Sequence, residues 1–171
     1  MTVSLIKTTE QDAQLLHEIG VKSYRHHFAK LWLNVDELAD YLYQEYSPQQ
    51  IIKDIQTTNT EWFLIKELQQ PIGLVKLTYH AMIPDESLCG TQLNKIYFLP
   101  DATGKGTGKT VFTQIETLAK QQNDSLLWLD VLAQNAHALR FYQANGMQKL
   151  KEVIFTSKTQ QNLEFIMSKN L

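Results

Sequence analysis

Apolar positions along the chain repeat with two different periods. Leu15, Leu16, Ile19, Val21 and Phe28 keep helical spacing and predict a helix over residues 11–28, with Thr8 and Thr9 at its capping end. Leu38, Tyr41 and Leu42 share one face of a second helix over 35–45, capped by Asn34. Ser47-Pro48 is a cap followed by a first-turn proline, so a third short helix runs to about Thr57. Trp62 to Ile65 is a buried strand, Gln69 to Pro71 its turn, and Ile72 to Tyr79 the hairpin partner. A first strand is read at Ser4 to Lys7 and a polar loop from His80 to Gly90. Leu93 to Leu99 is the next strand. Val111, Ile115, Leu118 and Ala119 stripe a helix over 107–122. The near-continuous apolar run Leu126 to Val131 suits a strand covered on both faces. A helix over 136–145 ends at Gly146, and strands at Val153 to Thr156 and Leu163 to Met167 close the chain. The order is that of a mixed α/β domain covering 1–171.

Composition narrows the classes. Of 171 residues, 43% are hydrophobic and 20% charged, which is enough to build a core. The net charge of −2 argues against a nucleic-acid footprint. No apolar run reaches the roughly 18 residues of a membrane span, and residues 1–7 have no secretory h-region. Cys89 is the single cysteine, so neither an internal disulfide nor a cysteine-rich zinc site is expected. These features fit a soluble, cytoplasmic protein with no membrane or nucleic-acid partner and no metal.

The chain has 7 glycines, and Gly104, Gly106 and Gly108 crowd into one turn between a strand and a helix. Thr103, Gly104, Lys105, Gly106, Thr107, Gly108 and Lys109 form an anion-binding arrangement. The helix start leaves N–H groups without partners, its dipole is positive there, and glycines admit close approach of a pyrophosphate. Two phosphate readings fit. Gly108-Lys109-Thr110 ends a P-loop, with the strand Leu126 to Asp130 as its Mg²⁺-holding companion, but Thr103 stands where the first glycine belongs. Alternatively, the turn resembles the acyl-CoA pyrophosphate loop of the GNAT superfamily of N-acetyltransferases, [QR]-x-x-G-x-[GA], with Thr103 at the leading position.

The segment Asn135-Ala-His-Ala138-Leu-Arg-Phe141-Tyr142-Gln-Ala-Asn-Gly146-Met147 favours the second reading. It closely resembles that superfamily's N-x-x-A-x-x-F-Y-x-x-x-G-[FM] signature. The paired N-terminal helices, with Tyr41-Leu42 and Tyr46 to Gln50, are similar to the bacterial spermidine/spermine N-acetyltransferases. The resemblance implies a central mixed, mostly antiparallel sheet, splayed near acetyl-CoA, with helices on both faces. It implies that the main chain of Ile96, Tyr97 and Phe98 holds the pantetheine arm. Asn135 caps its helix or contacts CoA, and Tyr142 is the acid that protonates the leaving thiolate.

The implied reaction is direct attack of an amine on acetyl-CoA in a ternary complex, leaving Cys89 without an acetyl-carrying role. The acceptor is a small-molecule or peptide amine, a polyamine being one choice. An amine of pKa about 10 must first lose a proton. Many relatives have a Glu on the strand occupied here by Gln92 and Asn94, neither of which takes a full proton. His80, Asp85 and Glu86 are then candidates, directly or through water, and Asp130 reads as a strand-end residue. The acceptor site is expected between the N-terminal helices and loop 80–90. Asp36, Glu37, Asp40 and Glu45 would attract a polycation there, and Tyr24, His26, His27 and Trp32 would line the pocket. The alternatives are a P-loop nucleotide-binding protein and a CoA-binding module without turnover. Family members often form homodimers, so a dimer is among the expected states.

Overall fold

Alternating and fully apolar stretches pair into one sheet, and the helices with an apolar stripe cover it. The computed structural model describes residues 2–102 and 106–171. The elements are β1 (Val3–Lys7), α1 (Ala13–Phe28), α2 (Val35–Tyr46), α3 (Pro48–Gln56), β2 (Thr60–Glu67), β3 (Gln70–Met82), β4 (Cys89–Phe98), α4 (Thr107–Gln121), β5 (Leu126–Leu132), α5 (Ala136–Ala144), β6 (Gln148–Thr156) and β7 (Gln161–Asn170). Three of the caps read from sequence are made, whereas at α1 the helix begins later, at Ala13, and the Thr8 hydroxyl donates instead to the Trp62 carbonyl at 2.7 Å. Asn34 Oδ1 accepts from the N–H of Asp36 at 2.8 Å, Ser47 Oγ from that of Gln50 at 3.2 Å, and Asn135 Oδ1 from that of Ala138 at 3.1 Å.

The seven strands run in the order β1-β2-β3-β4-β5-β7-β6. All neighbours are antiparallel except β4 and β5. Two layers of core result. Phe63, Ile65, Val75, Leu127, Leu129 and Val131 meet Val111, Phe112 and Ile115 of α4. On the other face, Trp62, Leu64 and Leu74 meet Leu16, Leu42 and Ile51 of α1, α2 and α3. The unbroken apolar run of β2 follows, because successive residues serve opposite layers. Each large side chain so buried contributes about 1.5–3 kcal/mol.

Two features place the site. The β4–β5 ladder has only two pairs, Thr91 with Leu127 and Gln92 with Trp128. Past them the strands part, leaving one edge of β4 from Leu93 to Phe98 without a strand partner, the Phe98 carbonyl lying 3.2 Å from His27 Nε2 instead. Asn94 is the extra residue of a bulge, since Lys76 pairs with Lys95 and Leu77 with Leu93.

The structure corrects several boundaries. β3 and β4 extend to Met82 and Cys89, so the loop read at 80–90 shrinks to 83–88. The hairpin turn is Leu68-Gln69 rather than 69–71; both residues are left-handed, at φ +49° and +68°, and Pro71 lies in the strand. β6 and β7 are longer than their apolar patches, because polar positions face outward on this margin of the sheet. No described helix is long and apolar enough to cross a membrane.

Candidate active site

A cavity of about 1180 Å³ opens where β4 and β5 part. That exceeds an ordinary single-ligand pocket and leaves room for two substrates. One end is the start of α4. Gly106 precedes it at φ +72° and brings no capping side chain, so the first turn's N–H groups lack a cap from it. Gly106, Thr107, Gly108 and Lys109 all line the cavity; Thr103, Gly104 and Lys105 lie outside the described residues. An uncapped helix start beside a lysine, opening on a strand edge, has the donors that a pyrophosphate followed by an amide-bearing arm requires. The residues present therefore fit the CoA moiety.

The two sequence motifs touch. A Cβ on Gly108 would lie 2.9 Å from Cε2 of Phe141, so the glycine lets α4 and α5 pack closely. Phe141 stacks edge-on against Phe112 at 6.0 Å and supports Tyr142 at 5.4 Å. Tyr142, Asn135, Ile96, Tyr97 and Phe98 line the same cavity. Burial holds the Tyr142 phenol well above its usual pKa of 10, so its proton stays on at neutral pH. The Asn135 carboxamide oxygen is committed to capping α5.

The other end of the cavity is aromatic and acidic. Tyr24, Phe28, Trp32 and Tyr41 come from α1, α2 and the segment between them; Tyr97 comes from β4 and Phe155 from β6. Tyr24 lies 4.8 Å from Phe28 and 5.0 Å from Tyr41, and its hydroxyl accepts from Trp32 Nε1 at 3.1 Å. Burial pushes the Tyr24 pKa up to about 12 and lowers that of His27, which therefore stays neutral. Glu45 reaches Lys95 Nζ at 3.5 Å. Burial pulls Lys95 below the usual lysine value, and Glu45 offsets part of that.

Two further carboxylates, Asp130 of β5 and Glu164 of β7, line the cavity. Asp130 keeps an exposed face, and partial desolvation by the surrounding protein raises its carboxyl above the usual range. Burial, then the neighbouring Asp130, raises Glu164 to about 7. Asp130 is thus more than a strand-end residue, and Glu164 carried no sequence signal. Nothing in a strand reading Gln161-Asn-Leu-Glu164-Phe shows which face is solvent.

Other expected residues lie elsewhere. The backbone N–H of His80 donates to Asp124 Oδ2 at 3.0 Å, and its Nδ1 pairs with Oδ1 at 2.7 Å. Glu86 faces Lys151 Nζ at 3.6 Å, and Asp85 is exposed. None of the three lines the cavity; nor do His26, Asp36 and Asp40. Glu37 ties α2 to the β6–β7 turn, accepting from Ser157 Oγ at 3.2 Å, from the Thr159 N–H at 3.1 Å and from Thr159 Oγ1. Those bonds, chiefly the one from Thr159, hold its carboxyl below the usual range. Gln160 completes the strap: its Oε1 accepts from the Leu33 N–H at 2.9 Å and its Nε2 donates to the Leu31 carbonyl at 3.0 Å.

Comparison with known proteins bears on this geometry. The Acetyltransferase (GNAT) family matches residues 23–147, which hold both motifs. An uncharacterized N-acetyltransferase in the pepI 3' region of Lactobacillus delbrueckii subsp. lactis is 22% identical over 99% of this chain and 98% of its own. The PaiA N-acetyltransferase of Thermoplasma acidophilum, solved with coenzyme A, superposes with a TM-score of 0.78 at 21% identity, covering 100% of both chains. The spermidine/spermine N-acetyltransferase SpeG of Vibrio cholerae gives 0.67 at 20%, over 99% of this chain and 95% of its own. The ribosomal-protein-alanine N-acetyltransferase of Brucella melitensis gives 0.68 at 15%, over 100% of both. At these identities the structural likenesses speak for the fold.

Proposed function

Because this chain belongs to the acetyltransferase (GNAT) family, with acetyl-CoA as the acetyl donor, we propose that its acceptor is a primary amine entering as a cation, with a polyamine such as spermidine or spermine first. The nucleotide-binding alternative is not favoured, since the family match includes the glycine turn that had suggested it. The observation that carries the acceptor reading is the composition of the cavity's second end. Aromatic faces of Tyr24, Phe28, Trp32 and Tyr41 stand with three carboxylates, Glu45, Asp130 and Glu164. Aromatic faces and carboxylates both attract ammonium groups, and an elongated polycation can use several at once. The Vibrio spermidine/spermine enzyme shares the fold; so does an enzyme acting on a ribosomal protein, so fold alone does not choose the acceptor.

The roles divide along the cavity. In this reading the first turn of α4, with Lys109 and the preceding Thr103, Gly104 and Lys105, binds the pyrophosphate of CoA. The edge of β4 without a strand partner, at Ile96, Tyr97 and Phe98, offers main-chain hydrogen bonds to the pantetheine arm, the Phe98 carbonyl being shared with His27. When bound, acetyl-CoA supplies the activated acetyl group. Tyr142, its phenol held protonated, hydrogen-bonds the departing thiolate (pKa about 8.5) and passes it a proton as one from the reacting nitrogen replaces it. The test is thiol release from acetyl-CoA with spermidine, spermine, small monoamines and a lysine peptide as separate acceptors, against a blank. Release ranked with the polyamines first supports the reading. A lysine peptide or monoamine at the head of the ranking replaces the polyamine. Silence across the panel in a folded protein that binds CoA points to a binding module.

A further inference from the structure

We propose that Glu164 is the catalytic base of the transfer, taking the proton from the acceptor's ammonium group, and that Asp130 on the adjacent strand is its positioning partner. The proposal rests on the acetyl-transfer reading above. Leu132 stands opposite Glu164 and Asp130 opposite Ile166, so both carboxylates project from one face of the β5–β7 pair and lie diagonally adjacent. Both line the cavity. Of its three carboxylates, Glu45 has Lys95 as a partner. Among the described residues, neither Asp130 nor Glu164 has an ion pair or a side-chain hydrogen bond. Two adjacent carboxylates facing the cavity attract an ammonium group, and they resist ionising together.

Acid and base come from opposite faces of the sheet. Tyr142 packs with the layer of α4 and α5, whereas Glu164 lies on the face shared by Trp128 and Ile166. Both address one reacting centre because β4 and β5 part beyond Gln92 and Trp128. Tyr97, on the parted edge, lies within electrostatic reach of both Tyr142 and Glu164. The titratable groups lining this space with Glu164 are Tyr24 and His27 from α1, Tyr41 and Glu45 from α2, Lys76 from β3, which is paired with Asp54 at 2.8 Å, Lys95 and Tyr97 from β4, Lys109 from α4, Asp130 from β5, and His137 and Tyr142 from α5. Of these, Asp130 is the like charge that raises Glu164, after burial itself, to about 7. An ordinary carboxylate is a poor base for an amine of pKa about 10, and each step upward makes the transfer tenfold less unfavourable.

The balance is complete. One proton passes from the ammonium to Glu164 and on to solvent. The free amine nitrogen bonds to the acetyl carbon, and the carbon–sulfur bond breaks. The proton from Tyr142 goes to sulfur, and the second nitrogen proton restores the phenol.

The test combines Glu164→Gln and Asp130→Asn with pH-dependent kinetics and a carboxyl titration. In the unaltered protein, kcat with the best amine should rise through a limb near 7. Glu164→Gln should cut kcat about 100-fold or more, change the acceptor KM far less, and abolish the limb. The deficit should shrink at least about tenfold with an alkoxyamine, which is neutral at assay pH and needs no base. Asp130→Asn should move the limb to lower pH. Carbon-13 labelling of glutamate carboxyls should show a resonance, absent from Glu164→Gln, titrating near 7 and moving down in Asp130→Asn. Glu164→Gln raising only the acceptor KM, or an ordinary carboxylate midpoint, overturns the proposal. An unaltered protein that binds CoA yet acetylates no amine overturns the acetyl-transfer reading instead, and the titration then still decides whether the pair is poised.

Discussion

The surroundings of Tyr142 come from its sequence neighbour Phe141 and from Phe112 on α4. Phe141 and Phe112 pack against its ring, and burial keeps its proton in place. Tyr142→Phe retains those ring contacts and removes only the hydroxyl. It should fold normally by circular dichroism, leave the acetyl-CoA KM nearly unchanged, and lose about 100-fold in kcat, measured by steady-state thiol release. An unchanged kcat would remove Tyr142 as the acid. That Tyr142 and Asn135 share one cavity was legible because motif, helix and cap all fall within one short segment, so local spacing carries the information. Glu164 and Asp130 were not. They meet only because β7 inserts between β5 and β6, and no local pattern announces that strand order. His80 lies off the cavity for the same reason: its partner Asp124 is remote in sequence and holds it elsewhere.

The helices and strands were largely legible, because their apolar stripes and caps are local properties. Turns lacking the usual residues were not. Leu68-Gln69 adopts a two-residue left-handed turn that Asn-Gly would have announced, and Pro71 drew the expected turn too late. Two contacts between elements make testable demands. α4 meets α5 through Gly108 and Phe141, so Gly108→Ala drives a Cβ to 2.9 Å from the ring. The Phe141 ring or the helices must shift, at a cost of about 1–3 kcal/mol. A lower melting temperature and a raised acetyl-CoA KM should appear together, read by thermal denaturation and kinetics. A variant with both values unchanged would show that the contact is slack. The second contact is the strap from Glu37 to the β6–β7 turn. Glu37→Ala releases the turn from α2 beside the acceptor end. The acceptor KM should rise while the acetyl-CoA KM stays put; equal changes in both would place the strap's effect elsewhere.

On the scale of the molecule, the parted sheet gives access to reacting groups at the expense of burying charge. The sign of that expense can be worked out. Glu164 has an ordinary carboxyl value of 4.5 when unfolded and about 7 when folded, raised by burial and then by Asp130. A pKa raised on folding means that the folded state binds the proton more tightly. The stabilising contribution is therefore full below about 4.5 and is lost as pH rises through about 7. At pH 8 the native protein must hold an ionised Glu164 beside Asp130. Glu164→Gln removes that charge while keeping the side chain's shape. Its effect should depend on pH: near neutral for stability at pH 4, and stabilising at pH 8 on the order of 1 kcal/mol once the screening of a partly exposed group is allowed for. Urea unfolding of both proteins at the two pH values measures it. Equal stability differences at pH 4 and pH 8 would mean that the folded state does not shift Glu164. If the stabilised variant is also the one that loses turnover, the protein holds a strained carboxylate where its chemistry needs a base, and relieving the strain removes the base.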